Sequence, residues 1–133
     1  YFHKQGHLVA GYDLTKTPLT EKLEEEGIKI HYKDNISLVP VKFMDRDNTI
    51  IIYTPAIPDD MSEKVFFKEG NFTMLKRSEI LGELTDGKKA LCVAGTHGKP
   101  TTSTLLAHIL NQRAEKVNAF LGGISKNYES IQR

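Results

Sequence analysis

Gly95, Gly98 and Lys99 fall within VAGTHGKPTTST, residues 93–104. Glycines beside a lysine, followed by a run of hydroxyl residues, suit one kind of chemistry. Unobstructed backbone N–H groups surround a phosphate, the ammonium offsets its charge, and a helix N-terminus behind them adds a favourable dipole. The spacing is G-x-x-G-K. The longer G-x-x-x-x-G-K-[ST] pattern is not met, because Val93 stands where its first glycine belongs. Pro100 stands where that pattern has a hydroxyl residue. The apolar run at 90–94 and the helical stretch after the loop favour a phosphate site, with an ordinary strand-to-helix turn left open as the alternative.

Other chemically capable side chains are dispersed. His3, His7, His31 and His108 show no metal-ligand spacing with each other or with a cysteine, and read as surface or packing residues. His97 lies inside the loop, where its backbone is placed for ligand contact and its ring for shaping the turn. Cys92, the sole cysteine, has no nearby base and is expected as a buried strand residue. Asp13 closes an apolar run and fits either a turn or a ligand contact. Arg77 can meet a phosphate or pair with Glu79 or Glu83, and the acids at 24–26 form a solvated helix face.

These residues need elements to hold them. Residues 1–6 read as a helix end stopped by Gly6. A helix is expected over 18–26, with Thr17 as N-cap, Pro18 at its first position and Gly27 as its stop. Others are expected over 61–69, ended by Gly70, over 78–84, capped by Ser78, and over 100–113. Strands are expected at 7–13, 28–32, 49–54, 72–75, 88–94 and 117–121, the last running into Gly122-Gly123. TIIIYT at 49–54 has the apolar, largely β-branched character of a strand covered on both faces. Strands alternating with helices predict an α/β fold with a mostly parallel sheet. A polar turn at 85–88 divides a first unit, 1–86, from the opening of a second, 87–133.

A formal net charge of +1 and the lack of a basic run give nucleic-acid binding no support. No stretch approaches the roughly 20 apolar residues that span a bilayer. A lone cysteine cannot form an internal disulfide, which suits the cytoplasm. Tyr1 at the first position leads us to expect a chain that begins inside a longer one.

AGTHGKPTTST at 94–104, apart from its proline, resembles the ATP loop of the Mur ligases, which build the peptide of the cell-wall precursor. GHLVAGYDL at 6–14, YTPAIP at 53–58, KRSEILGEL at 76–84 and AFLGGISKNY at 119–128 are similar to further segments of that family, in the same order. The histidine after Gly-Thr resembles the branch that adds L-alanine to UDP-N-acetylmuramate, or its relative that reattaches a recycled tripeptide. The resemblance implies a Rossmann-like UDP-sugar-binding domain over 1–86 and the start of a P-loop ATPase domain over 87–133. It implies an ATP-dependent, amide-forming ligase that works through an acyl-phosphate, with ATP and Mg2+ as cofactors. UDP-N-acetylmuramate and L-alanine are the implied partners, without nucleic acid or membrane. Gly95, Thr96, His97, Gly98, Lys99, Pro100 and Thr101 then correspond to the phosphate cradle. Lys99 is the catalytic cation on the β- and γ-phosphates, and Thr101, with Thr102, lies beside the Mg2+ position. Asp13, Thr54, Ala56 and Ile57 correspond to the UDP contacts.

Three departures accompany the resemblance. The family's opening strand and glycine-rich pyrophosphate loop are absent before Tyr1, so the first domain is expected to be truncated at its N-terminus. The remaining Mg2+ ligands and the amino-acid domain are absent after Arg133, so the second is expected to be truncated too, and the chain alone to be inactive. Pro100 removes an N–H donor and the Mg2+-ligating hydroxyl, and biases Lys99 away from the helical region. Losing a hydrogen bond to a charged group costs roughly 1.5–3 kcal/mol, whereas the first turn of a helix tolerates proline. A non-catalytic nucleotide-binding module is the alternative from a different class, and a plain dinucleotide-binding domain lacks its G-x-G-x-x-G.

Overall fold

Thr17 and Thr20 exchange hydrogen bonds at the start of the first helix. Thr17 N–H donates to Thr20 Oγ1 at 2.9 Å and Thr20 N–H donates to Thr17 Oγ1 at 3.3 Å. With Pro18 in the opening turn, this reciprocal cap fixes where α1 (Pro18–Glu25) begins. Gly27, at φ +93°, ends it: Gly27 N–H reaches Glu24 O and Ile28 N–H reaches Leu23 O. α1 is the crossover between β1 (Ala10–Tyr12) and β2 (Lys29–His31), which pair in parallel with Ala10 opposite Lys29 and Tyr12 opposite His31. A second crossover repeats the plan. β3 (Ile50–Tyr53) and β4 (Thr73–Lys76) pair in parallel, Ile50 opposite Thr73, with α2 (Ser62–Glu69) between them. Short 3-10 turns at Ile36–Leu38 and Val41–Phe43 fill the connection from β2 to β3. α3 (Arg77–Thr85) follows β4 directly, and α4 (Lys99–Gln112) follows the glycine loop. This computed structural model describes residues 1–113 and 117–121. It divides into two compact units, Tyr1–Gly87 and Lys88–Arg133.

The apolar interior of the first unit is thin. Phe67 and Ile80 are its buried hydrophobic side chains. Phe67 meets Phe72 edge-on at 5.0 Å between ring centroids, and Phe66 at 5.4 Å. The same pair closes α2: Phe72 N–H reaches Phe67 O (3.0 Å), and Asn71 N–H reaches Lys68 O (3.1 Å). Gly70 is the C-cap of α2, as expected of the terminator, and the left-handed residue is the next one, Asn71, at φ +54°. Gly70 answers a different demand. A Cβ there would lie 2.9 Å from the Phe72 ring and 3.1 Å from Phe66 O.

Several expectations are corrected. The strands do not form one sheet: the described residues give two separate two-stranded sheets, each parallel. Residues 88–94 and 117–121 form no strand. An apolar run becomes a strand only when it pairs with a hydrogen-bonding edge, and no described segment pairs with either run. Cys92, expected to be buried in that run, is exposed. Residues 1–6 form a single 3-10 turn, His3–Gln5, closed by Gly6 at φ +87°. α3 starts before Ser78, and its opening is held by the Glu79 carboxylate, which accepts from Lys76 N–H at 2.6 Å. Gly122-Gly123 lies outside the described residues.

Candidate functional site

In the second unit, Gly98 is the N-cap of α4 at φ +75°, and Gly95 sits at φ +150°. L side chains rarely adopt either value. Space is not the constraint, because a Cβ on Gly98 would meet nothing within 4 Å. Gly98 has no side chain to cap the helix, and the first intrahelical bond runs from Thr102 N–H to Gly98 O at 2.9 Å. Backbone N–H groups ahead of Thr102 therefore have no intrahelical acceptor and lie at the positive end of the helix dipole. Residues 94–102 are all exposed, so this end is open to a ligand.

Lys99 is already helical, against the usual preference of a residue before proline, and α4 begins one residue earlier than expected. Its Nζ donates to Gly95 O and, at 3.1 Å, to Thr96 O. The ammonium thus lies across the loop and covers two carbonyls that would repel an anion. An arriving phosphate can take over those donors as charge-assisted bonds. Pro100, in the first turn, breaks no intrahelical bond, and it supplies no N–H to an anion. Ser103 Oγ donates to Lys99 O at 2.7 Å. Thr101 is the nearest hydroxyl after Pro100. Among the described residues no group of three or more His, Cys, Asp or Glu side chains could hold a metal ion. The donors of the loop suit a phosphate group, and the nearby hydroxyls are those of Thr101 and Thr102.

In the first unit, Asp13 follows β1. Its N–H reaches His31 O at 3.1 Å, and its Oδ1 accepts Thr15 N–H at 3.0 Å, which makes it the pivot of an Asx-turn. Thr54, Ala56 and Ile57 share one turn after β3, closed by Ile57 N–H to Thr54 O at 3.1 Å, with Ala56 exposed. Asp13 and this turn thus stand at the carboxyl ends of strands in different sheets, the positions where open α/β proteins bind ligands.

Sequence reasoning missed the side chains that hold the second of these places. Asp34 Oδ2 accepts Ser62 N–H (2.8 Å), and its Oδ1 accepts Ser62 Oγ–H (2.6 Å) and Glu63 N–H (3.1 Å). The Ser62 hydroxyl, and then these backbone donors, hold the Asp34 carboxyl below its ordinary value. Glu63, buried, pairs with His31 Nε2 at 2.7 Å and also accepts Asn35 N–H at 3.1 Å. Lys64 Nζ donates to Asp59 Oδ1 (2.7 Å) and Ile57 O (3.3 Å) and lies 4.9 Å from the Tyr53 ring centroid. The available signal was negative. Met61 stands at the N-cap of α2 and offers no capping oxygen, so the cap had to come from elsewhere.

A model of the Mur ligase family, catalytic domain, matches residues 1–89. The chain belongs to the Mur ligase family. The UDP-N-acetylmuramate–L-alanine ligase of Porphyromonas gingivalis is 53% identical over 130 residues, 98% of this chain and 28% of that protein. The protein of the same name from Phocaeicola vulgatus is 54% identical over 128 residues, 96% of this chain and 28% of its own length. The chain therefore spans about 28% of the length of these relatives. A solved UDP-N-acetylmuramate–alanine ligase from Thermotoga maritima, 30% identical, superposes with a TM-score of 0.83 over 96% of this chain and 29% of that one. The Neisseria UDP-N-acetylmuramate:L-alanyl-γ-D-glutamyl-meso-diaminopimelate ligase, 22% identical, gives 0.82 over 98% of this chain and 40% of its own, a likeness of fold alone. The Mur ligase match takes in Asp13 and the 54–57 turn and stops short of Gly95, whereas an alignment of 130 residues takes in the glycine loop as well.

Proposed function

We propose that the protein to which these residues belong is an ATP-dependent amide-forming ligase that joins L-alanine to UDP-N-acetylmuramate. One observation carries this: the 53% identity to a ligase of that name extends over 98% of the chain and through the glycine loop. The geometry is consistent with it. Residues 1–86 act as a Rossmann-like UDP-sugar unit, supported by two parallel βαβ crossovers, with Asp13, Thr54, Ala56 and Ile57 at strand carboxyl ends. Residues 87–133 open the ATP unit, in which Gly95, Thr96, His97, Gly98, Lys99 and Thr101 form the phosphate cradle. ATP supplies the phosphoryl group that activates the substrate carboxylate. The chain's own contribution is positional and electrostatic, with Lys99 and the start of α4 neutralising phosphate charge. Thr101 would be the hydroxyl residue nearest a bound Mg2+, where Pro100 offers no hydroxyl. The exposed, unpaired Cys92 fits a reducing cytoplasm, and among the described residues no helix is long and apolar enough to cross a membrane.

The test is phosphate release by the full-length protein with ATP, UDP-N-acetylmuramate and either L-alanine or the tripeptide. Alanine-dependent release is expected, and release with the tripeptide alone overturns the choice of substrate. Pro100 favours a second reading, a nucleotide-binding module that does not turn over. For that, release is absent with either acceptor.

A further inference from the structure

We propose that Lys64 is a positioning residue for the 54–59 turn, and so sets the affinity of the protein for the UDP end of its substrate. This rests on the assignment of Thr54, Ala56 and Ile57 to the UDP group made above. Lys64 stands in the first turn of α2, with its side chain only 13% exposed. Its ammonium is shared among three parts of one connection: the carbonyl of Ile57, the carboxylate of Asp59 and the face of the Tyr53 ring at the end of β3. The Asp59 side chain is fully exposed, so that bridge is screened and weak. The contacts to Ile57 and Tyr53 are the ones that matter.

Ile57 is held from both sides, its N–H by Thr54 O and its C=O by Lys64. Pro55 and Pro58 restrict the backbone on either side of it. Without the ammonium, the Ile57 carbonyl has only solvent as a partner and the turn has one bond to define it. α2 itself keeps its independent anchors, Asp34 on Ser62 and Glu63, and His31 on Glu63, so the helix stays in place when Lys64 is replaced. The loss falls on the turn. A turn that must be ordered on binding costs affinity without touching the reacting groups.

Calorimetric titration of the full-length protein with UDP-N-acetylmuramate, and separately with ATP, tests this for wild type, Lys64→Met, Lys64→Arg and Asp59→Ala. We expect Lys64→Met to bind UDP-N-acetylmuramate about tenfold more weakly, as loss of a charged hydrogen bond implies. ATP affinity and melting temperature stay unchanged, Lys64→Arg restores most of the loss, and Asp59→Ala changes affinity less than about twofold. Equal affinity of wild type and Lys64→Met overturns the proposal, as does a loss that arginine does not rescue or that follows a fall in melting temperature. Failure of the wild-type protein to bind UDP-N-acetylmuramate overturns the substrate assignment instead.

Discussion

Two loops each lead into a helix and are built in opposite ways. The 54–61 connection is held by partners distant in sequence: Asp34 caps the helix behind it, His31 pairs with Glu63, and Lys64 crosses back onto the turn. The 94–98 loop is held by its immediate neighbours, with two glycines in positive-φ conformations and Lys99 bonded to carbonyls three and four residues back. The first is fixed by side chains that converge through the fold, the second by backbone conformation and one cation. Disturbing the anchors of α2 behind the first should therefore cost stability, and disturbing the second should cost ligand affinity alone.

The largest effect is expected at Glu63. Glu63→Ala removes a buried carboxylate and leaves His31 and the Asn35 N–H without it, at a cost of about 3 kcal/mol. Urea denaturation of the chain measures it, and a change below about 0.5 kcal/mol, the range of ordinary surface substitutions, would break the contrast. Lys99→Met gives the reverse. ATP binding by the full-length protein weakens by about 2 kcal/mol, roughly thirtyfold, through loss of a charged contact, while stability hardly moves. The companion change at the same loop, Pro100→Thr, restores a hydroxyl and an N–H and is expected to strengthen Mg-ATP binding about tenfold. Calorimetry showing equal affinity for proline and threonine would show that position 100 does not face the nucleotide.

The contrast also explains what the sequence could reveal. The glycine loop, α1 with its Thr17–Thr20 cap, and both βαβ alternations rest on residues a few positions apart, and such signals survive in a linear reading. Asp34 caps a helix that begins 28 residues later, and His31 meets Glu63 across 32 positions. No spacing rule connects such residues before the chain is folded. Gly70 ends α2 as expected, but the physical demand for a glycine there was hidden for a related reason. Its need for a missing Cβ comes from Phe72 folding back, while Asn71 carries the positive φ. Strands at 88–94 and 117–121 were read from apolarity, which says that a segment wants cover and leaves open whether an edge is there to pair with it.

Gly70→Ala tests that packing. An added methyl must displace the Phe72 ring or the end of α2, for about 1–2 kcal/mol of lost stability in thermal or urea denaturation. Alanine is also the better helix former, so an unchanged protein would mean that Phe72 moves aside without cost, and that the aromatic cluster is looser than its geometry indicates.

The smallest effect, and the one that separates charge from shape, is at Asp34. Its carboxyl is held below the ordinary value by the Ser62 hydroxyl first, then by the Ser62 and Glu63 N–H groups and by His31. A carboxylate whose folded value lies below its unfolded value adds stability above the unfolded value, and loses it as pH falls through the folded one. Because Asp34 is exposed to solvent, the contribution is modest, no more than about 1 kcal/mol for a helix cap. Asp34→Asn keeps an oxygen facing Ser62 and removes the charge. At neutral pH it should be slightly less stable than wild type, with a gap that closes as pH falls through the lowered folded value of the wild-type carboxyl. A carbon-detected NMR titration of the Asp34 carboxyl should show a midpoint below that of an unfolded aspartate, at the acid end of the range over which the gap closes. Asp59, whose carboxyl is lowered by Lys64, is the control. Asp59→Asn should leave the stability of α2 unchanged at every pH, since its partner anchors the turn and not the helix. A gap between wild type and Asp34→Asn that persists in acid would mean that Asp34 caps α2 by shape alone, and the distant carboxylate would then be no more electrostatic than the threonine cap of α1.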